Sequence, residues 1–355
     1  MNMQEFYLIN GEYNFISGVS FININQVCDM EVFGSHERNP KNWSRLNFTR
    51  KNFDDYFHLN FNVPNNFLHF KIVYSGDISL LDDSAKIELV IKAPQTKEEI
   101  SFHVNNSKIV FVGCARNCLS KINESINTLL TLSKSFLDFK IIIFENDSID
   151  GTAERLEELA KENIIELIQI KNLDAKFPLR TQRLSYARNQ LLSKSLTLEY
   201  DYYCVADLDG VIGNNFSTES FYSNFKYLEC WDAVFPINKG SYYDLWAFRH
   251  SSFWPWDYER EMNAAPPIFG DKNLLDFYVD RVQNLNFASL KGWLSVESAF
   301  GGMGLYKLEK FKYSSYFGLS EKNQICEHTV FHEKAKKFNA QLYINPEFLV
   351  NGISI

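Results

Sequence analysis

Tyr202-Tyr203-Cys204-Val205-Ala206-Asp207-Leu208-Asp209-Gly210 joins an apolar run to two aspartates spaced i, i+2 and a closing glycine. A strand alternates its side chains, so both carboxylates project to one side where the chain leaves a sheet. Two hard oxygen donors at a strand end suit a divalent cation, Mn²⁺ or Mg²⁺, that carries a diphosphate. Such ions take one or two protein carboxylates and complete their shell with phosphate oxygens and water. An ordinary polar turn would also place Asp and Gly there, so the triplet by itself does not decide between the two.

The surrounding grammar is alternating strand and helix. Ile109 to Val112 reads as a buried strand ending at Gly113, and Ser120 opens a helix with Ile122, Ile126, Leu129 and Leu130 on one face. Lys140 to Phe144 is a second buried strand, which makes a βαβ unit and implies a parallel sheet with right-handed crossovers. A further helix carries Ala153, Leu156 and Ala160, followed by a strand at Ile164 to Ile170. Arg183 to Leu196 is another helix, and Tyr200 to Ala206 is the strand that delivers the aspartates. In such a sheet the ligand belongs at the carboxyl ends of the strands. Three polar clusters fall there: Gly113-Cys114-Ala115-Arg116-Asn117, Glu145-Asn146-Asp147-Ser148 and Asp207-Leu208-Asp209.

The first hundred or so residues read differently. Phe67 to Tyr74, Ala85 to Ile91 and Glu99 to Val104 are short β-prone runs separated by turn chemistry, and Asn39 to Asp55 is polar and aromatic without helical period. The expectation is a β-rich accessory domain over 1–105 and an α/β domain over 106–355. A chain of 355 residues is long for one core and fits such a division. With 31 Phe and 18 Tyr it has ample apolar material to fold.

Composition also excludes partners. A net charge of −8 gives no field to attract a polyanion, so nucleic acid is not expected. Six cysteines are too sparse for a disulfide scaffold and read as reduced thiols in a cytoplasmic protein. Cys114 and Cys118 lack a second pair to complete a zinc site. The N-terminus lacks a signal-peptide pattern and no apolar run reaches the length of a transmembrane segment. Peripheral contact with the inner face of a membrane stays compatible with that. Neither G-x-G-x-x-G after the first strand nor G-x-x-x-x-G-K-[ST] occurs, which removes support for dinucleotide enzymes and P-loop NTPases.

With these pieces in order, the chain resembles the nucleotide-sugar glycosyltransferases of the GT-A fold. FENDSIDGT, Phe144 to Thr152, is similar to that fold's nucleotide-binding second strand and turn, and Ala206-Asp207-Leu208-Asp209 to its DxD motif. Arg188-Asn189, in SYARNQLL, resembles the Arg-Asn pair that many members carry on the helix before the DxD strand. SYYDLWAFRH (Ser241 to His250), FGGMGLYK (Phe300 to Lys307) and CEHTVFH (Cys326 to His332) resemble more narrowly the capsule-associated, cryptococcal-type mannosyltransferases. The general likeness covers about Lys108 to Pro346 and leaves residues 1–105 outside.

The resemblance implies a Rossmann-like, mostly parallel sheet flanked by helices and a Mn²⁺- or Mg²⁺-dependent transfer in surface-polysaccharide assembly. The partners are a nucleoside-diphosphate sugar, GDP-mannose first, and a carbohydrate or glycolipid acceptor. It makes Asp209 the metal ligand and gives Asp207 to ribose or metal-bound water. A late histidine completes the shell, His332 ahead of His328 by its place after the acidic motif. Glu145 and Asp147 belong to the donor site, Glu145 accepting from ribose or base. Arg116 and Arg188 offer forked donors to phosphate or hold a neighbouring carboxylate. Glu327 or Glu297 is the general base if configuration inverts. Asp244, a further catalytic candidate, joins Trp246 and Arg249 around the sugar. Gly301 and Gly302 read either as a close backbone approach to ligand or as a tight turn. A sugar-phosphate nucleotidyltransferase and a non-catalytic glycan-binding or scaffold protein are the competing readings.

Overall fold

The computed structural model describes residues 93–351 apart from 214, 240–241, 252–253, 258–286, 288–289, 291 and 321–322, together with the backbone of eight strands before residue 92. The chain divides into two compact units. The first comprises Met1–Pro94, His250–Pro255 and Leu290–Val296. Its strands are β1 (Met3–Ile9), β2 (Ile16–Ile22), β3 (Asp29–Ser35), β4 (Ser44–Leu46), β5 (Phe48–Asn52), β6 (Tyr56–Phe61), β7 (His69–Ser75) and β8 (Lys86–Ile91). They form two antiparallel sheets, ordered β1-β7-β3-β4 and β5-β6-β2-β8.

The run Glu99 to Val104, expected as a strand, is instead part of helix α1 (Lys97–Asn105) in the second unit. Its alternation suits a strand, but a reciprocal cap overrides it. Thr96 Oγ1 accepts from the Glu99 N–H at 3.2 Å, and Glu99 Oε2 accepts from the Thr96 N–H at 2.8 Å. That T-x-x-E box satisfies two of the helix's orphan N–H groups and fixes its start.

The second unit comprises Gln95–Arg249, Trp256–Ser289 and Glu297–Ile355. It is a mixed α/β layer structure with a central, mostly parallel sheet, as expected. The strands are β9 (Lys108–Ala115), β10 (Asp138–Asn146), β11 (Glu166–Ile170), β12 (Tyr202–Ala206) and β13 (Ala233–Asn238), followed beyond β14 (Leu294–Ser295, in the first unit) by β15 (Met303–Lys307), the hairpin β16 (Leu319–Ser320) and β17 (Asn323–Gln324), and β18 (Leu342–Val350). The sheet order is β11-β10-β9-β12-β15-β13-β18. Among these seven strands only β15 runs against its neighbours, β12 and β13.

Central strands of a parallel sheet are covered on both faces and therefore need apolar residues throughout. Ile109, Val110, Phe111 and Val112 of β9 meet that need, each fully buried. Helix α2 (Leu119–Ser133) adds the stripe Ile122, Ile126, Leu129 and Leu132. Helices α3 (Thr152–Lys161), α4 (Leu173–Lys176), α5 (Arg180–Ser195) and α6 (Thr218–Tyr222) follow, and α7 (Glu327–Lys336) precedes β18. From β9 the chain winds outward through β10 to β11, then returns to place β12 on the other side of β9. The order reverses between β9 and β12, which opens a crevice beyond their carboxyl ends.

Candidate active site

At that crevice lies a cavity of about 490 Å³, within the size range of small-molecule sites. Its lining includes Ala115 from the end of β9, Asn146 from the end of β10, and Asp207 and Asp209 just past β12. Because β15 is antiparallel, its start sits beside the end of β12, with Ala206 opposite Met303. The Asp207 N–H donates to the Gly302 carbonyl at 2.9 Å, which pins the acidic turn to the turn before β15.

The two aspartates differ in surroundings. Asp209 is exposed and makes no hydrogen bond or ion pair with a described residue. Asp207 receives Arg188 Nη2 at 3.3 Å. Burial raises its carboxyl against the pull of Arg188, and repulsion from Asp209 and Asp244 adds to the rise, leaving it pushed up to about 7.

Arg188 itself is buried on α5 and also pairs with Glu327, the first residue of α7. Its guanidinium carbon lies 5.2 Å from the centre of the Phe300 ring. His328 stacks on the same ring with centroids 3.8 Å apart. Both His328 ring nitrogens are buried without a hydrogen-bond partner, and burial, with the positive Arg188 nearby, drives its protonation well below the usual range. A neutral imidazole with both nitrogens unspent is the form that binds metal.

His332, favoured over His328 by the sequence, is not on the cavity wall. Its Nδ1 shares a 2.8 Å hydrogen bond with Ser298 Oγ and its Nε2 a 3.0 Å bond with Tyr306 Oη. Both ring nitrogens are spent in the core, and burial pushes its pKa down to about 3.

Several other expected site residues prove to hold the scaffold. Glu145 is buried and accepts from the Ser148 N–H and from Gln169 Nε2, each at 3.0 Å, so it fixes the turn after β10. Asp147 accepts from the N–H groups of Asn172 at 2.6 Å, Leu173 at 2.9 Å and Asp174 at 3.2 Å. Although burial opposes ionisation there, the Asn146 amide and these backbone donors hold the carboxyl below the usual range. Arg249 spends Nη1 on the carbonyls of Trp246 and Phe248 and Nη2 on Asp257 at 3.1 Å. Glu297 lies 3.7 Å from Lys336 and does not line the cavity, which leaves Glu327 and Asp244 as the wall carboxylates among the base candidates.

Gly301 and Gly302 form the tight turn before β15, with φ of 64° and 90°. A Cβ on Gly302 would fall 2.3 Å from Val211 Cγ1 and 2.6 Å from Tyr243 Oη. Protein neighbours therefore account for the glycines. Asp244 faces the cavity and also holds this turn, its Oδ2 accepting from the Gly301 N–H at 2.9 Å. Burial raises its carboxyl above the usual range.

The lining is also basic. Arg116 forks onto Asp174 at 2.9 and 2.5 Å, and Arg183 Nε reaches the same carboxylate at 3.1 Å. Arg180, at the start of α5, also lines the cavity and is exposed. It makes no hydrogen bond or ion pair with a described residue. The sequence reading missed Arg180 and Arg183. Their signal was present, since Arg180, Arg183, Leu184, Ala187 and Arg188 fall at i, i+3, i+4, i+7 and i+8, one face of a helix. The cavity thus sets carboxylates against guanidinium groups, an arrangement for a ligand that joins an anion to a cation.

No family model matches the chain, and no curated protein matches it. Among solved structures it is similar to the mannosyltransferase PcManGT from Pyrobaculum calidifontis in complex with GDP-Man and Mn²⁺, at 12% identity and TM-score 0.42 over 70% of this chain and 57% of that one. It is also similar to residues 1–349 of TarS from S. aureus in complex with UDP-GlcNAc, at 15% identity and TM-score 0.38, over 68% of this chain and 57% of that one. A third is GalNAc-T7 with UDP, GalNAc and Mn²⁺, at 14% identity and TM-score 0.43, over 70% and 44%. The chain therefore spans less than two thirds of each of these.

Proposed function

We propose that this chain is a glycosyltransferase that uses Mn²⁺ or Mg²⁺ to move a sugar from a nucleoside diphosphate to a carbohydrate or glycolipid acceptor. The observation that carries the reading is the cavity itself, where Asp207 and Asp209 at the end of β12 face Arg180 at the start of α5. Asp209 and His328 would hold the metal, since one has no partner among the described residues and the other has both ring nitrogens unpaired. Among the described residues no three His, Cys, Asp or Glu side chains form a ready metal cage. That suits an ion which arrives with a diphosphate and needs only one or two protein ligands. When bound, the metal neutralises charge on the departing diphosphate.

The chain's own groups supply the rest. Arg180 is placed to meet a phosphate oxygen without first breaking an ion pair. Arg188 holds both Asp207 and Glu327 where they line the cavity. Glu327 is the candidate to orient the acceptor hydroxyl, and in an inverting reaction to receive its proton. Mannose from GDP-mannose is the first donor, and surface-polysaccharide assembly is the setting. Among the described residues no helix is long and apolar enough to cross a membrane. Release of nucleoside diphosphate from GDP-mannose, UDP-glucose and UDP-N-acetylglucosamine with Mn²⁺ tests the reading. Turnover of one donor, lost on chelation, is expected; no turnover of any with a broad acceptor mixture would oppose it.

A further inference from the structure

Buried side-chain donors without a hydrogen-bond partner gather on the cavity wall. Besides Arg188 and His328 they include Tyr243 Oη and Trp246 Nε1, both from the loop that carries Asp244. An unpaired buried donor is a cost to the folded protein, and water or a ligand group usually meets it. Two on one loop that lines the cavity are groups that neighbouring ligand oxygens would satisfy. The loop is itself held in place. Asp244 accepts from the Gly301 N–H at 2.9 Å and from the Ala247 N–H at 3.4 Å, and Gly302 leaves room beside the Tyr243 hydroxyl where a Cβ would stand 2.6 Å away.

Given glycosyl transfer as the reaction, on which this inference rests, we propose that Tyr243 and Trp246 hold the transferred sugar by donating to its hydroxyl oxygens. The sugar is a neutral hexose. A uronate carboxylate at this loop would meet Asp244, Asp207 and Asp209, which line the same cavity, and like charges repel. In this proposal the two side chains read the sugar, while the arginines and the acidic turn address the diphosphate.

Titration calorimetry with Mn²⁺ on wild type, Tyr243→Phe and Trp246→Phe separates these roles. The probes are GDP, GDP-mannose, UDP, UDP-glucose and UDP-glucuronate. Each variant should bind the preferred nucleoside diphosphate as wild type does and bind its hexose conjugate about tenfold more weakly. UDP-glucuronate should gain nothing over UDP. Tyr243→Phe without ligand should melt no lower than wild type, because it loses a buried hydroxyl that had no partner. Unchanged affinity for the hexose conjugate, equal losses for diphosphate and conjugate, or a lowered melting temperature of ligand-free Tyr243→Phe would each overturn the sugar role while leaving the transferase reading in place. Failure of wild type to bind any nucleoside diphosphate would overturn both.

Discussion

Arg188 on α5 and Glu327 at the start of α7 form an ion pair inside the protein, their side chains 6% and 4% exposed. The same guanidinium reaches Asp207 at 3.3 Å, so one buried cation ties a central strand end to the helix that carries His328. Removing one partner of a buried pair leaves an uncompensated charge, which typically costs about 3–5 kcal/mol. Glu327→Leu is expected to destabilise by that order in urea unfolding. The double variant Arg188→Met/Glu327→Leu should lose less than the two single losses summed, because it leaves neither charge of that pair stranded.

Asp209 carries no such structural duty. It is exposed and without a partner among the described residues. Asp209→Asn is expected to leave the melting temperature of the free protein unchanged while abolishing metal-dependent binding of nucleoside diphosphate. Parallel thermal melts and calorimetry check both halves.

Donor binding should release a proton. The Asp207 carboxyl, pushed up to about 7 by burial, is largely protonated at pH 6 and largely ionised at pH 8. A cation bound beside it favours the ionised form, so affinity for metal and diphosphate should fall as pH drops below 7, approaching about tenfold per unit for one linked proton. Calorimetry at pH 6 and 8, in buffers of different ionisation enthalpy, reads the proton directly.

His332 makes stability, too, fall as pH drops. Its folded pKa, about 3, lies below the ordinary 6.5, so the unfolded chain binds the extra proton between those values. Its contribution is fully present above about 6.5 and is lost as pH falls toward 3, at up to about 1.4 kcal/mol per unit. His328, also lowered, adds the same sign, whereas Asp207, raised, contributes a slope of the opposite sign below pH 7. Denaturation of His332→Gln beside wild type at pH 7 and 5 isolates the histidine: the variant should show the weaker loss at pH 5.

The strands and helices of the second unit were legible because apolar period and strand-end polarity are local properties. Ile109 to Val112 and Lys140 to Phe144 both lie within strands of the sheet. What each polar side chain touches was less legible. The histidine choice turned on Ser298 and Tyr306, some thirty positions upstream of His332 and unmarked by any motif. Glu145 and Asp147 were placed correctly at a strand end, yet their oxygens go to backbone N–H groups that only the folded turn brings near. Arg180 was readable from helical spacing, and a start assigned at Arg183 hid it. Glu99 to Val104 shows the same lesson, since the Thr96 cap outranked the alternation that followed it.

The central claim is that metal and nucleoside diphosphate bind as a unit in the cavity between β9 and β12. Thermal denaturation with GDP, UDP, CDP and dTDP, each with and without Mn²⁺, tests it most directly. One diphosphate should raise the melting temperature only when Mn²⁺ is present, and the rise should vanish in Asp209→Asn. No shift with any diphosphate and metal, or an equal shift in Asp209→Asn, would contradict the account.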